Sequence, residues 1–330
     1  MLNIQFFVCI LLLGFTVDAV SESGNYADRD DVKQFVAEMV QEGFDRGKLE
    51  VLFAEAQYKQ SIIDAISRPA ERVLTWKEYQ DIFLTESRVK RGLEFMHENS
   101  KMLAEAEKKF GVPAVIITSI IGVETMYGRL RGKYRVIDSL STLAFDYPPR
   151  SAFFREELKH FLRLAREEGQ DARTPLGSYA GAMGYGQFIS SSYRHYAIDF
   201  DEDGIRDIWN NPTDAIGSVA NYMSEHGWLA GGLITVEASE PDDDVAQVFN
   251  VSLKPSVTVG EMSRLGIKAA KAVESDTEVS PILLNGKYGK EYWLGLHNFY
   301  VITRYNHSKL YAMAVFQLSE RLKSSLLASS

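Results

Sequence analysis

Between Val112 and Val123 the chain carries no charged side chain, and only Thr118 and Ser119 in that stretch bear polar groups. The segment continues the helical patterning of the chain. Glu124 closes the run, so its carboxylate is expected to lie partly buried. Desolvation disfavours the charged form of a carboxylate and raises its pKa, as a general acid working near neutral pH requires. Tyr127 lies three residues on and is placed to share its face. A structural glutamate satisfied by Arg129, Arg131 or a backbone amide fits the pattern better, because structural ion pairs perturb carboxylates too, so Glu124 alone does not define a site.

Helical patterning dominates the remainder. DDVKQFVAEMVQE and LEVLFAEAQ place apolar residues three and four apart, with Gly43 and Gly47 between them. RVKRGLEFMHENSKMLAEAEKKFG reads as one helix, closed by Gly111 in a left-handed cap, and Pro113 suits the start of the next. FFREELKHFLRLAREE and PTDAIGSVANYMSEHGW continue the pattern. From about 231 to 290 the texture changes, and LITVEA, KPSVTVG and SPILLNG are short and β-branched around one short helix, EMSRLGIKAAKAV. EYWLGLHNFYVITRYNHSKLYAMAVFQLSERL then returns to helix. The expected class is mainly α (α+β), with a helical region at 20–110, a core at 111–230, a small α/β insertion at 231–290 and a C-terminal return at 291–330.

The ends and the composition bound the compartment. Ile4 to Val17 is almost wholly apolar, and Val17 and Ala19 occupy the small-residue positions before a signal-peptidase cut, so 1–19 is expected to be a leader. A membrane anchor is the alternative, but the run is short for a bilayer span. The single cysteine, Cys9, falls inside the leader and not at a lipid-attachment site, which leaves a mature chain without thiol chemistry. The expected product is soluble, exported to the periplasm, monomeric and without a transmembrane helix. A net charge of −9 excludes a nucleic-acid footprint and argues against docking on anionic lipid.

LGSYAGAMGYGQFISSSY, with Gly177, Gly181, Gly184 and Gly186, offers a backbone that a ligand can approach closely, together with the Ser178 hydroxyl and the Gln187 amide. Neither the P-loop nor the dinucleotide spacing is present. Close helix packing on small residues would use the same glycines. Taken with GVPAVIITSIIGVETMYGR, LSTLAFDYPPRSAFF and DAIGSVANYMSEHGW in this order, the segment resembles the membrane-bound lytic transglycosylase B family. The resemblance runs from about residue 30 to the C-terminus and is densest between 111 and 228.

It implies a lysozyme-like catalytic core acting on peptidoglycan glycan strands, with Glu124 of the GVET segment as the catalytic residue. Saccharide contacts are implied for Ser178, Gln187 and Tyr222, for Tyr305, Asn306 and Tyr311 of RYNHSKLY, and for Arg150, although Pro148-Pro149 here replaces the family's Tyr-Pro pair. Ordinary glycosidases use two flanking carboxylates. The matched segments hold no second one, and Glu156 and Glu157 read as the polar face of a helix ending in Arg166. The resemblance implies that Glu124 first protonates the bond between N-acetylmuramic acid and N-acetylglucosamine. It then takes the proton of the muramyl C6 hydroxyl, which closes a 1,6-anhydro ring. The rivals are a muramidase that transfers to water and a non-catalytic glycan-binding module.

DFDEDGIRDIWN carries the spacing of an EF-hand loop. Asp199, Asp201 and Asp203 hold the first three ligand positions, Gly204 the sharp turn, Ile205 a backbone carbonyl and Asp207 the position that often binds through water. Asn210 stands where a bidentate Glu normally closes the shell. The resemblance implies Asp214 as the last ligand. One calcium ion with a structural role is expected, against a solvated acidic turn.

Overall fold

The computed structural model describes residues 25–67, 74–241 and 245–329. The expected leader at 1–19, including Cys9, lies outside them. The helices are α1 (Asp30–Gln41), α2 (Arg46–Glu55), α3 (Gln60–Ile66), α4 (Trp76–Phe83), α5 (Glu86–Glu98), α6 (Ser100–Phe110) and α7 (Ala114–Thr125). They continue as α8 (Val136–Asp146), α9 (Ser151–Glu167), α10 (Ser190–Tyr196), α11 (Pro212–Glu225), α12 (Val259–Arg264), α13 (His297–Tyr305) and α14 (Lys309–Ser329). No described helix is long and apolar enough to cross a membrane. The described residues divide into two compact units, 74–127 with 216–329, and 25–67 with 128–215. Each unit joins segments distant in sequence, on lines other than the boundaries expected at 110, 230 and 290.

In the first unit α7 is the inner helix. Its residues from Ile116 to Val123 are all buried, packed by α5, α6 and α14. Helix α14, which packs against α7, buries one face of Tyr311, Val315, Leu318 and Leu322. A helix apolar on every side has no stable alternative to such enclosure. The stretch expected as one helix before Gly111 is two, because Asn99 leaves helical geometry and its Nδ2 donates to the Phe95 carbonyl, 2.9 Å away, closing α5. Gly111 then ends α6 at φ +70°.

The same unit carries strands β3 (Thr235–Glu237), β4 (Val257–Thr258), β5 (Glu278–Gly286) and β6 (Gly289–Gly295) in the antiparallel order β3-β6-β5-β4, after the two-residue strands β1 (Tyr134–Arg135) and β2 (Leu176–Gly177) of the second unit. Strand β6 corrects the expectation that EYWLG belongs to the helical return. Lys287-Tyr288 turns the chain back on β5, and Trp293 and Leu294 pair with Ile282 and Pro281. Pro281 costs no ladder bond, because β4 pairs only with Glu278 and Val279. Val236, Phe249, Val259, Met262, Ile267, Val279, Leu294 and Leu296 form the small core beside this sheet.

In the second unit α8 packs on α9, α9 on α10 and α3 on α8. Phe35, Phe53 and Phe145 meet edge to face at about 6 Å. Arg29 binds Asp31 and Asp146, tying the start of α1 to the end of α8. Glu157 is not on a polar face as expected. It is 5% exposed, and its carboxylate accepts from the Ser191 backbone amide at 3.0 Å and the Ser191 hydroxyl at 2.7 Å, at the first turn of α10. Glu156 does face solvent, beside Lys159.

Candidate active site

Glu124 is the penultimate residue of α7. Part of the residue reaches solvent, yet its carboxyl is closely surrounded, and the loss of hydration pushes its pKa up to about 7. The opposing influence is the Tyr311 hydroxyl, which favours the carboxylate without completing a hydrogen bond of ordinary geometry. Arg131, considered as a neutralising partner, donates instead to the Trp209 carbonyl. Tyr127 does not share the face of Glu124. Helix α7 stops at Thr125, and Met126 and Tyr127 take left-handed φ values of 49° and 60°. This reversal turns the Tyr127 ring onto α5, where its hydroxyl donates to the Arg88 carbonyl at 3.0 Å.

Three elements build an aromatic cluster that reaches this carboxyl through Tyr305 and Tyr311. The end of α13 supplies Tyr305, the first turn of α14 supplies Tyr311, and α11 supplies Tyr222. The Tyr305 and Tyr311 rings lie parallel at 6.3 Å, and Tyr222 meets Tyr305 edge-on at 4.7 Å. Tyr222 is fixed by stacking on His226 at 4.0 Å and by its hydroxyl, which donates to the Arg304 carbonyl at 2.6 Å. Burial first, and then the nearby Glu124 charge, hold the Tyr305 and Tyr311 hydroxyls in their protonated form. The reading from sequence missed Tyr79 of α4. Its hydroxyl lies beside Ser308 and feels Glu124, and burial pushes it up to about 12. Nothing in WKEYQDIF marks Tyr79, since its role depends on where α4 lies against α14.

Two buried polar atoms in this cluster, Asn306 Oδ1 and the Tyr311 hydroxyl, have no hydrogen-bond partner among the described residues. Of the two, the Tyr311 hydroxyl lies beside the raised Glu124 carboxyl, and a buried polar atom left unpaired there is open to a polar ligand.

Arg150, Ser178 and Gln187 belong to the second unit. Ser178 is 6% exposed, and its hydroxyl accepts from the amides of Ala180 and Ala182 at 3.3 and 3.1 Å. Gln187 takes a left-handed φ of 50°, and its amide donates to the carbonyls of Gly184 and Arg131 at 3.0 and 3.3 Å. The loop needs glycine at 184, where φ is +70° and a Cβ would lie 2.4 Å from the Ile208 carbonyl. Arg150 ends a short 3₁₀ turn and lays its guanidinium over Phe153 and Phe154 at 4.6 and 5.0 Å, where burial lowers its pKa.

In the acidic loop, carboxylate oxygens of Asp199, Asp201 and Asp203 lie within 4.8 Å of one another. Three negative charges so close favour a hard cation between them. Asp207 and Asp214, expected beside them, are turned to the backbone. Asp207 accepts from the amides of Trp209 and Asn210, both at 2.9 Å, and the fully buried Asp214 accepts from the amides of Phe200 and Asp207 at 2.7 and 2.8 Å. A carboxylate buried at a helix start takes the nearest free amides, and these two close the loop on itself. Ile205 is exposed, at the outer turn of the loop.

The family model described as "Transglycosylase SLT domain" matches residues 27–320. The membrane-bound lytic murein transglycosylase B of Escherichia coli K12 is 39% identical over 307 residues, covering 90% of this chain and 84% of that protein. The structure of the catenated lytic transglycosylase SltB1 from Pseudomonas aeruginosa superposes with a TM-score of 0.87 at 51% identity, covering 91% of this chain and 99% of that one. The Escherichia coli lytic transglycosylase Slt35, solved in complex with calcium, superposes with a TM-score of 0.84 at 39% identity, covering 92% and 95%.

Proposed function

We propose, from the premise that this chain belongs to the transglycosylase SLT-domain family and is a lytic transglycosylase of peptidoglycan, that Glu124 alone serves as acid and then as base. Its class is that of its relatives, a mainly helical, lysozyme-like fold. The observation that carries the assignment is the raised pKa, about 7, of a carboxyl at the end of an uncharged helix and beside the unpaired Tyr311 hydroxyl. A group so poised holds its proton long enough to donate it and releases it readily enough to take another.

In the first step Glu124 protonates the oxygen of the β-1,4 bond between N-acetylmuramic acid and N-acetylglucosamine, and the acetamido carbonyl of the sugar stabilises the positive centre at C1. The carboxylate then removes the proton of the C6 hydroxyl, whose oxygen attacks C1 and closes the 1,6-anhydro ring. One proton leaves and one returns, and no water is consumed. Tyr222, Tyr305, Asn306 and Tyr311 bind and orient the sugars in this reading, as do Arg150, Ser178 and Gln187. The two orphaned polar atoms support it, since a sugar hydroxyl or acetamido group would satisfy them.

Asp199, Asp201 and Asp203, with the Ile205 carbonyl, are the proposed holders of one calcium ion. Asp214 is the proposed last ligand, with Asp207 reaching the ion through water, while both carboxylates also accept from loop amides. The ion would cancel the repulsion of the acidic loop and supply stability. The leader pattern at 1–19 and the murein-directed relatives support a periplasmic location.

Mass spectrometry of digested peptidoglycan tests the reaction. Wild-type protein is expected to release muropeptides one water lighter than hydrolytic ones, and Glu124→Gln to release none while keeping its fold. Reducing-end products alone would make the protein a muramidase; binding without release by the wild type would make it a glycan-binding module.

A further inference from the structure

Arg88 is the third residue of α5 and is 5% exposed. No carboxylate neutralises it among the described residues, and burial lowers its pKa. Its guanidinium lies 5.1 Å from the Phe83 ring centroid, its Nε is buried without a partner, and its Nη1 donates to the carbonyl of Gly122. A cation buried without a counter-charge works against stability, and apolar residues of similar volume commonly replace such groups with gain. What Arg88 holds is the last turn of α7, two residues before Glu124.

The grip is two-sided. The Tyr127 hydroxyl donates back to the Arg88 carbonyl at 3.0 Å, from a backbone that reaches α5 through two successive left-handed residues. The Tyr127 ring fills the space where a Cβ on Gly122 would come within 2.7 Å. The Gly122 carbonyl, near the electron-rich end of α7, is thus bonded by a positive guanidinium on one side, while an aromatic ring closes the residue from the other. Both devices act on the segment that aims the Glu124 carboxyl.

The geometry points to Arg88 as a positioning residue for Glu124, kept for the placement of the acid against a cost in stability. This rests on the assignment of Glu124 made above. Small displacements of a catalytic group lower turnover steeply while leaving distant substrate contacts intact.

Arg88→Met and Arg88→Lys, made in the full chain, test the proposal when turnover on soluble glycan strands and melting temperature are measured together. Arg88→Met is expected to melt at or above the wild-type temperature, to lose about tenfold or more in kcat, and to keep KM within about twofold. Arg88→Lys, which retains a donor and a charge, is expected to recover most of the loss. Wild-type kcat in Arg88→Met would overturn the proposal, as would a parallel fall of melting temperature, kcat and substrate affinity, which marks a merely structural role. If Arg88→Met does not fold, Tyr127→Phe decides, and unchanged kcat there overturns the proposal. Glu124→Gln run alongside separates the two readings. Activity in that variant removes the acid assignment, whereas an inactive Glu124→Gln beside a fully active Arg88→Met removes only the positioning role.

Discussion

The Tyr311 hydroxyl stands beside the Glu124 carboxyl, and the two groups act on each other in opposite senses. The hydroxyl favours the carboxylate, and the carboxylate holds the proton on the hydroxyl. Burial outweighs the hydroxyl, so Glu124 rests near neutrality in its proton affinity.

Removing the hydroxyl therefore moves the pH profile. The first step needs protonated Glu124, so activity falls as pH rises through its pKa of about 7. Tyr311→Phe withdraws the group that favours the charged form, and the falling limb of kcat/KM is expected at higher pH than in the wild type. A limb that stays in place or moves down would contradict the pairing.

The same shift has a consequence for stability. The folded chain binds the Glu124 proton more tightly than the unfolded chain, from an ordinary value of 4.5 up to about 7. The sign follows by linkage: the contribution is fully present below pH 4.5 and is lost as pH rises through 7. Glu124→Gln is neutral throughout, so it is expected to be the more stable protein at pH 8, by roughly 3 kcal/mol at most, and to match the wild type near pH 4. Denaturant melts at the two pH values provide the check.

Chelation is expected to lower the melting temperature by several degrees, and added calcium to restore it, because an ion that binds only the folded state stabilises by mass action. Product identity should not change. Asp201→Ala is expected to remove the calcium response, while calcium-switched activity well below the melting temperature would assign the loop a regulatory role.

Glu157 offers the sharpest contrast with Glu124, since both are buried carboxylates with raised pKa values. Its oxygens are spent on Ser191. Glu157→Ala is expected to cost about 1–3 kcal/mol of stability, the usual penalty for leaving buried donors unpaired, with unchanged anhydro products. Loss of turnover without loss of stability would make Glu157 a second catalytic carboxylate.

Where local chemistry decides, the residues could be read directly. The uncharged run from Val112 to Val123 reads as helix and places Glu124 where burial is expected, and its raised pKa follows from that loss of hydration. Gly111 marked the end of a helix for the equally local reason that it takes φ +70°. The spacing of Asp199, Asp201 and Asp203 likewise gathered three carboxylates within 4.8 Å. Tertiary structure decided the rest. Tyr79, Tyr222, Tyr305 and Tyr311 come from four helices, so their relation to Glu124 depends on packing that no single segment encodes. Tyr127 left the face that helical spacing assigned to it because α7 stops two residues earlier, and Glu157 left the polar face because unpaired groups at the start of α10 competed for it. Buried polar groups take whichever partners the fold brings within reach, and those partners lie far away along the chain.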